Sequence, residues 1–176
     1  MTEATRTYLE MLTPDRLVPA SCPDPDLRIE RVHECPLSFF RYLYAAVGRD
    51  HHWVDRLGWT DEQIRAHVSR ERESLFVAYL RGAPTGYFEL EVNDDASIEI
   101  AYFGLLPEFK GRGFGKFLLT EACRRAWDAG ARRIWLHTCT LDDRAALPNY
   151  VGRGFVPFKT ETYQVSLPHD PETVTS

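Results

Sequence analysis

The stretch Leu105-Leu106-Pro107-Glu108-Phe109-Lys110-Gly111-Arg112-Gly113-Phe114-Gly115-Lys116 decides how the rest of the chain is read. A strand-like pattern ends at Leu105, and a glycine-dense turn leads straight into a helical pattern. Glycine lets the backbone approach a ligand closely and adopt torsions that a side chain forbids. The first turn of a helix carries N–H groups with no partner inside the helix, at the positive end of its dipole. Together they make an anion site. Lys110, Arg112 and Lys116 concentrate positive charge there, in a chain whose net charge is -5.

Two well-defined phosphate loops fail against this stretch. A Walker A loop needs glycine five positions before Gly115 and Ser or Thr after Lys116, where the chain has Lys110 and Phe117. A dinucleotide fingerprint needs G-x-G-x-x-G after a βαβ strand. Here the glycines alternate, and the preceding pattern is an antiparallel meander.

That meander comprises strands over 74–80, 85–92 and 97–105, joined by Arg81-Gly82-Ala83-Pro84 and Asn93-Asp94-Asp95. Before it the pattern gives short strands over 7–12 and 27–33 and a helix over 36–47 stopped by Gly48. A second helix is capped by Thr60, with Gln63 at the capping-box position. After it come a helix over 113–129, a strand over 133–139, a short helix over 145–151, and strands over 155–158 and 162–167. The long helix buries Phe114, Leu118, Leu119, Ala122, Cys123 and Ala126 on one face. No repeat or linker divides the chain, so one α+β domain over 1–176 is expected. Residues 1–26 form an N-terminal extension with a short strand, and 168–176 a loose tail.

The glycine turn is similar to the acetyl-CoA motif of the GNAT superfamily of N-acetyltransferases: Gln or Arg, two variable residues, Gly, one variable residue, then Gly or Ala. Lys110, Gly113 and Gly115 fill it, with Lys110 a basic substitute at the first place. The resemblance is close over 97–155 and holds as an order of elements over 27–167. It implies the GNAT acyl-CoA N-acyltransferase fold, a central mixed, mostly antiparallel sheet flanked by helices, with acetyl-CoA as co-substrate. Main-chain amides of Gly111, Arg112, Gly113, Phe114, Gly115 and Lys116 would hold the pyrophosphate. The main chain of Phe103, Gly104 and Leu105 would pair with the pantetheine arm like an added strand, and the strand ending at Leu105 would splay from 133–139.

Tyr150 stands in a Tyr-x-x-x-Gly-Phe arrangement before Phe155 and resembles the tyrosine that serves many GNAT enzymes as general acid. A phenol is protonated at neutral pH and can donate to a departing thiolate; the plain alternative is a helix tyrosine packing its ring. Asp143 occupies the place where relatives often carry a CoA-contacting Asn. Pro148 is tolerable only in the first turn of its helix.

Glu99 and His137 are the two candidate bases. Glu99 lies on the strand leading to the turn, on one face with Ala101, Phe103 and Leu105 by simple alternation, and its spacing matches the glutamate of histone-type GNAT enzymes. His137 lies on the partner strand and titrates near neutrality. Either is equally readable as a hydrogen-bonding residue of the sheet. For the acceptor amine, Asp50, His52 and Trp53 in the loop 49–59 are the candidate contacts, with Glu89 and Glu91 further carboxylates for a cationic group.

The acidic balance disfavours nucleic acid. No apolar run suggests a membrane span, and the N-terminus lacks a signal-peptide layout, so a cytoplasmic protein is expected. Cys22, Cys35, Cys123 and Cys139 show no metal or redox spacing, and the paired His51 and His52 have no third ligand, so no metal is expected. The reading is therefore direct attack of a small-molecule or peptide amine on acetyl-CoA in a ternary complex, in a possible homodimer. A non-catalytic acyl-CoA sensor of the same fold is the alternative.

Overall fold

The computed structural model describes residues 1–165. They build one seven-stranded sheet from β1 (Thr2–Met11), β2 (Leu27–Val32), β3 (Glu73–Leu80), β4 (Ala83–Val92), β5 (Ser97–Leu105), β6 (Arg133–Cys139) and β7 (Val156–Val165). The strand order is β2-β3-β4-β5-β6-β1-β7. Helices α1 (Leu37–Gly48) and α2 (Asp61–Val68) cover one face at the β3–β5 end, and α3 (Phe114–Asp128) and α4 (Ala146–Gly152) lie on the other. This is the expected α+β arrangement of a mixed, mostly antiparallel sheet flanked by helices. No helix among the described residues is long and apolar enough to cross a membrane.

Local chemistry accounts for the helices. Thr60 accepts from the Gln63 amide while the Gln63 side chain accepts from the Thr60 amide, so α2 starts with a reciprocal cap. In α3, Phe114, Leu118, Leu119, Ala122, Cys123 and Ala126 are all buried, the face that the periodicity picks out. Pro148 falls in the first turn of α4, where its missing N–H costs nothing.

Three expectations need correction. The short strand in the N-terminal extension is a ten-residue strand in the sheet, hydrogen-bonded to β6 on one side and β7 on the other. Its first half, Thr2 to Arg6, carries no large apolar residue, so side-chain periodicity is silent where the main chain is fully paired. The two strands over 155–158 and 162–167 are one, β7, as far as the described residues run. Its polar middle, Lys159-Thr160-Glu161, reads as a loop, yet an edge strand with one open face carries such residues without cost. The proposed tail, 168–176, lies outside the described residues.

The third correction concerns Glu99. Ile98 and Ile100 pack with Phe103 and Leu105 in the core under α3, whereas Tyr102 packs under α1. Evenly numbered side chains point to α3 before Ala101, and odd ones after it. The cause is a register shift against β4, where Glu89 faces Tyr102 and Leu90 faces Ile100, leaving Ala101 as an extra residue. One inserted residue turns every later side chain to the other face. Glu99 therefore points to the α1 side, away from Phe103 and Leu105.

Candidate active site

Among the described residues the one parallel pairing, β5 with β6, lasts for three residue pairs, Ser97 with Arg133, Ile98 with Ile134 and Glu99 with Trp135. Beyond Glu99 the two strands part, leaving 101–105 without a ladder partner on that side. A cleft of about 570 Å³ opens there, lined by Phe103, Gly104, Leu105, Lys110, Gly111, Gly113, Gly115, Lys116, Asp143 and Tyr150 among others. The expected splay is thus present.

At its far end, Gly111 (φ 73°) and Gly113 (φ 83°) both adopt left-handed torsions that other residues occupy at a cost. Gly113 caps α3 without any side-chain hydrogen bond, so the first amides of the helix face the cleft unclaimed by a cap. A Cβ on Gly111 would meet nothing within 4 Å, so torsion and not space requires glycine there. The side chains of Phe114 and Arg112 turn away from the cleft: the Phe114 ring is buried in the core, and the Arg112 guanidinium lies over Phe109 and Phe114.

The Lys110 ammonium donates to Asp143 Oδ2 at 2.7 Å and to Asp50 Oδ2 at 3.2 Å. The Lys110 hydrogen bond, with the amide of Ala145 bound to its other oxygen, holds the Asp143 carboxyl below its ordinary range. Asn149, one residue before Tyr150, also lines the cleft. Its amide nitrogen donates to the Gly115 carbonyl at 3.1 Å, and its oxygen is buried with no partner. An orphaned acceptor in a cleft is a place for a ligand N–H. The motif gave no signal for it.

Tyr150 is buried against Phe103 and Phe155, and burial, with Asp142 nearby, raises its phenol well above the ordinary value. It stays protonated. On the α1 side, His137 Nε2 lies 3.8 Å from Glu99 Oε1. Burial, reinforced by Glu91 across the ladder, pushes the Glu99 carboxyl up to about 7. Burial, and then Arg6, lowers the His137 imidazole. The two candidate bases thus form one pair at the point where the strands part.

A family profile described as acetyltransferase (GNAT) matches residues 30–155. The chain belongs to the GNAT family of acetyltransferases. It is 29% identical over 108 residues to an uncharacterized N-acetyltransferase of Mycobacterium tuberculosis, covering 61% of this chain and 69% of the relative. An uncharacterized N-acetyltransferase of Methanocaldococcus jannaschii is 25% identical over 122 residues, 65% of this chain and 53% of that one. Among solved structures, a GCN5-related N-acetyltransferase from Kribbella flavida superposes with a TM-score of 0.64 at 18% identity, over 90% of this chain and 56% of that one. An aminoglycoside acetyltransferase from an uncultured soil metagenomic sample, in complex with sisomicin, gives 0.62 at 18% identity, over 85% and 97%. At such identities these superpositions speak for the fold.

Within this GNAT domain the expected acceptor residues divide. Asp50 is held by Lys110. His52, with a left-handed backbone at φ 55°, binds the Leu141 carbonyl through Nδ1 at 2.9 Å. Trp53 packs its ring on Tyr44, Tyr87 and Tyr102 and is half-buried against the core. Glu89 cannot face a substrate, because it is fully buried and takes two hydrogen bonds from Arg56.

Beside it, His67, Glu73 and Glu89 cluster with ligand atoms within 4.8 Å of one another. The Arg70 guanidinium lies 3.0 Å from His67 Nδ1. A guanidinium only donates, so Nδ1 accepts and the ring proton sits on Nε2, facing both carboxylates. That proton occupies the lone pair a metal would need.

Proposed function

We propose that this GNAT protein transfers acetyl from acetyl-CoA to a primary amine of a small molecule or peptide, by direct attack in a ternary complex. The observation that carries this is the continuity of the cleft. The unpaired edge of β5 at 103–105 runs directly into the left-handed glycine turn and the open end of α3. An unpaired strand edge accepts an amide-bearing chain as an added strand, and the helix end accepts its phosphates. These residues fit acetyl-CoA, and Asn149 Oδ1 supplies an acceptor in the same cleft. Bound there, the thioester supplies the activated acetyl group.

The chain's own groups supply proton transfers. Glu99, with its carboxyl near 7, accepts a proton from an arriving ammonium group, with His137 beside it as the alternative base. Tyr150 keeps its proton for the departing sulfur. Calorimetric titration with CoA and a thiol-release assay on acetyl-CoA with a panel of primary amines test the reading. Binding together with amine-dependent release is expected. Binding with no release for any amine would move the protein to the sensor reading, and no binding would overturn both.

A further inference from the structure

Three consecutive residues after α1 reach across the gap between β5 and β6 to the loop after β6. Asp50 meets Asp143 through Lys110, His52 binds the Leu141 carbonyl, and between them His51 Nδ1 lies 3.9 Å from Asp142 Oδ1. His51 lines the cofactor cleft, as Tyr150 does and as Glu99 and His137 do not. Its other nitrogen faces β5: a methyl group placed on Gly104 would sit 3.2 Å from Nε2. The ring stacks on Trp53 at 5.3 Å. Asp142 is itself fixed, because its Oδ2 accepts from the Thr138 hydroxyl and from the Cys139 amide at 2.9 Å, leaving Oδ1 for His51.

We propose that His51 is a second base of the reaction, oriented by Asp142, which accepts the proton that the amine loses as it attacks. The proposal rests on the acetyltransferase reading above. It resolves a proton count that one base leaves open. An ammonium group must lose two protons to become an amide. Glu99 takes the first, on the acceptor side, and passes it to water. His51 Nε2 takes the second as the C–N bond forms, and Tyr150 gives a proton to sulfur as the C–S bond breaks. Protonated His51 then restores the phenol, so the net release is one proton. At 3.9 Å the Asp142 carboxylate is beyond hydrogen-bond reach of the ring, but its charge favours the tautomer with the proton on Nδ1 and the Nε2 lone pair free, which this role needs. Asp142 and Asp143 from the loop after β6, Lys110 from the turn and Asp50 beside it all face the ring. Burial outweighs the carboxylates, so the neutral form is favoured.

Two measurements test it. In the first, thiol release from acetyl-CoA is followed with benzylamine, which arrives protonated, and aniline, which arrives neutral. His51→Gln should lower kcat roughly 100-fold with both, far more than it weakens CoA in the titration. Glu99→Gln should be impaired far more with benzylamine than with aniline, whereas His51→Gln should show no such difference. A His51→Gln enzyme as fast as wild type, or one rescued by aniline, would overturn the dyad. The second needs no acceptor: ¹⁵N shifts of the His51 ring should report the Nδ1–H tautomer, and Asp142→Asn should abolish that preference. An Nε2–H ring in the wild type sinks the proposal even if turnover is found. A wild type that binds CoA but acetylates no amine takes the acetyltransferase reading down first, and the dyad with it.

Discussion

Arg56 donates through a single guanidinium nitrogen to both oxygens of Glu89, at 2.8 and 2.7 Å, with Glu89 wholly removed from solvent. The guanidinium also lies 3.9 Å from the centre of the Tyr102 ring and 4.8 Å from that of Trp59. The pair thus fastens the loop after α1 to the middle of the sheet. Breaking a buried pair strands its partner's charge in a medium that cannot solvate it. Glu89→Ala is expected to lose about 3–5 kcal/mol of stability. The double variant Arg56→Met, Glu89→Leu is expected to lose much less. Urea unfolding of the three proteins measures the difference.

At the glycine turn, charge and shape can be separated. A side chain at Gly115 would meet Leu105 at 3.6 Å and Asn149 at 3.8 Å, ordinary contacts. Gly115→Asp should therefore fold normally and lose CoA binding, because a carboxylate stands where phosphate is expected. Gly113→Ala is the converse. At φ 83° it should cost about 1–2 kcal/mol of stability, with a smaller effect on CoA. Calorimetry and thermal melting, run on both, separate the two effects.

Lys110 is shared between Asp143 and Asp50 at the same turn. A bound phosphate would compete with those carboxylates for one ammonium. Asp143→Asn should bind CoA about two- to five-fold more tightly, the worth of a partly exposed ion pair, whereas Lys110→Ala should weaken it. Weaker CoA binding by Asp143→Asn would mean that Asp143 itself contacts the cofactor.

The raised Glu99 carboxyl gives a signed pH dependence. Its folded value, about 7, exceeds the ordinary 4.5, so folding favours the neutral acid. That contribution is complete below 4.5 and is lost as pH rises through 7. Glu99→Gln should therefore melt higher than wild type at pH 8, with the gap closing towards pH 4. In kcat/KM for an ammonium substrate, an acid limb near 7 should be present in wild type and absent in the variant. A limb that survives in Glu99→Gln and vanishes in His137→Ala would transfer the role to His137.

Much of this protein was legible in the order of its residues. Boundaries of β5, β6 and α3 follow from periodicity, and the Thr60 cap from its spacing to Gln63. The glycine turn was legible for the same reason, since torsion, dipole and charge all act within residues 110–116. Asn149 and His51 were not. Neither belongs to a motif, and both acquire meaning from groups contributed by other elements, Gly115 for one and Gly104 and Asp142 for the other. Nor could the sequence show that the side chains of the candidate acceptor residues Asp50, His52 and Trp53 contact Lys110, the Leu141 carbonyl and Tyr102.

By itself the sequence determined the class of fold, the family resemblance and the glycine turn that opens α3, because each is written in near-neighbour torsions and side-chain periods. Tertiary structure alone decided that β1 lies between β6 and β7, that Glu99 faces away from Phe103, and that His51 meets Asp142. Each depends on pairing with distant main chain. One extra residue at Ala101, invisible to periodicity, was enough to change which face of the sheet carries Glu99.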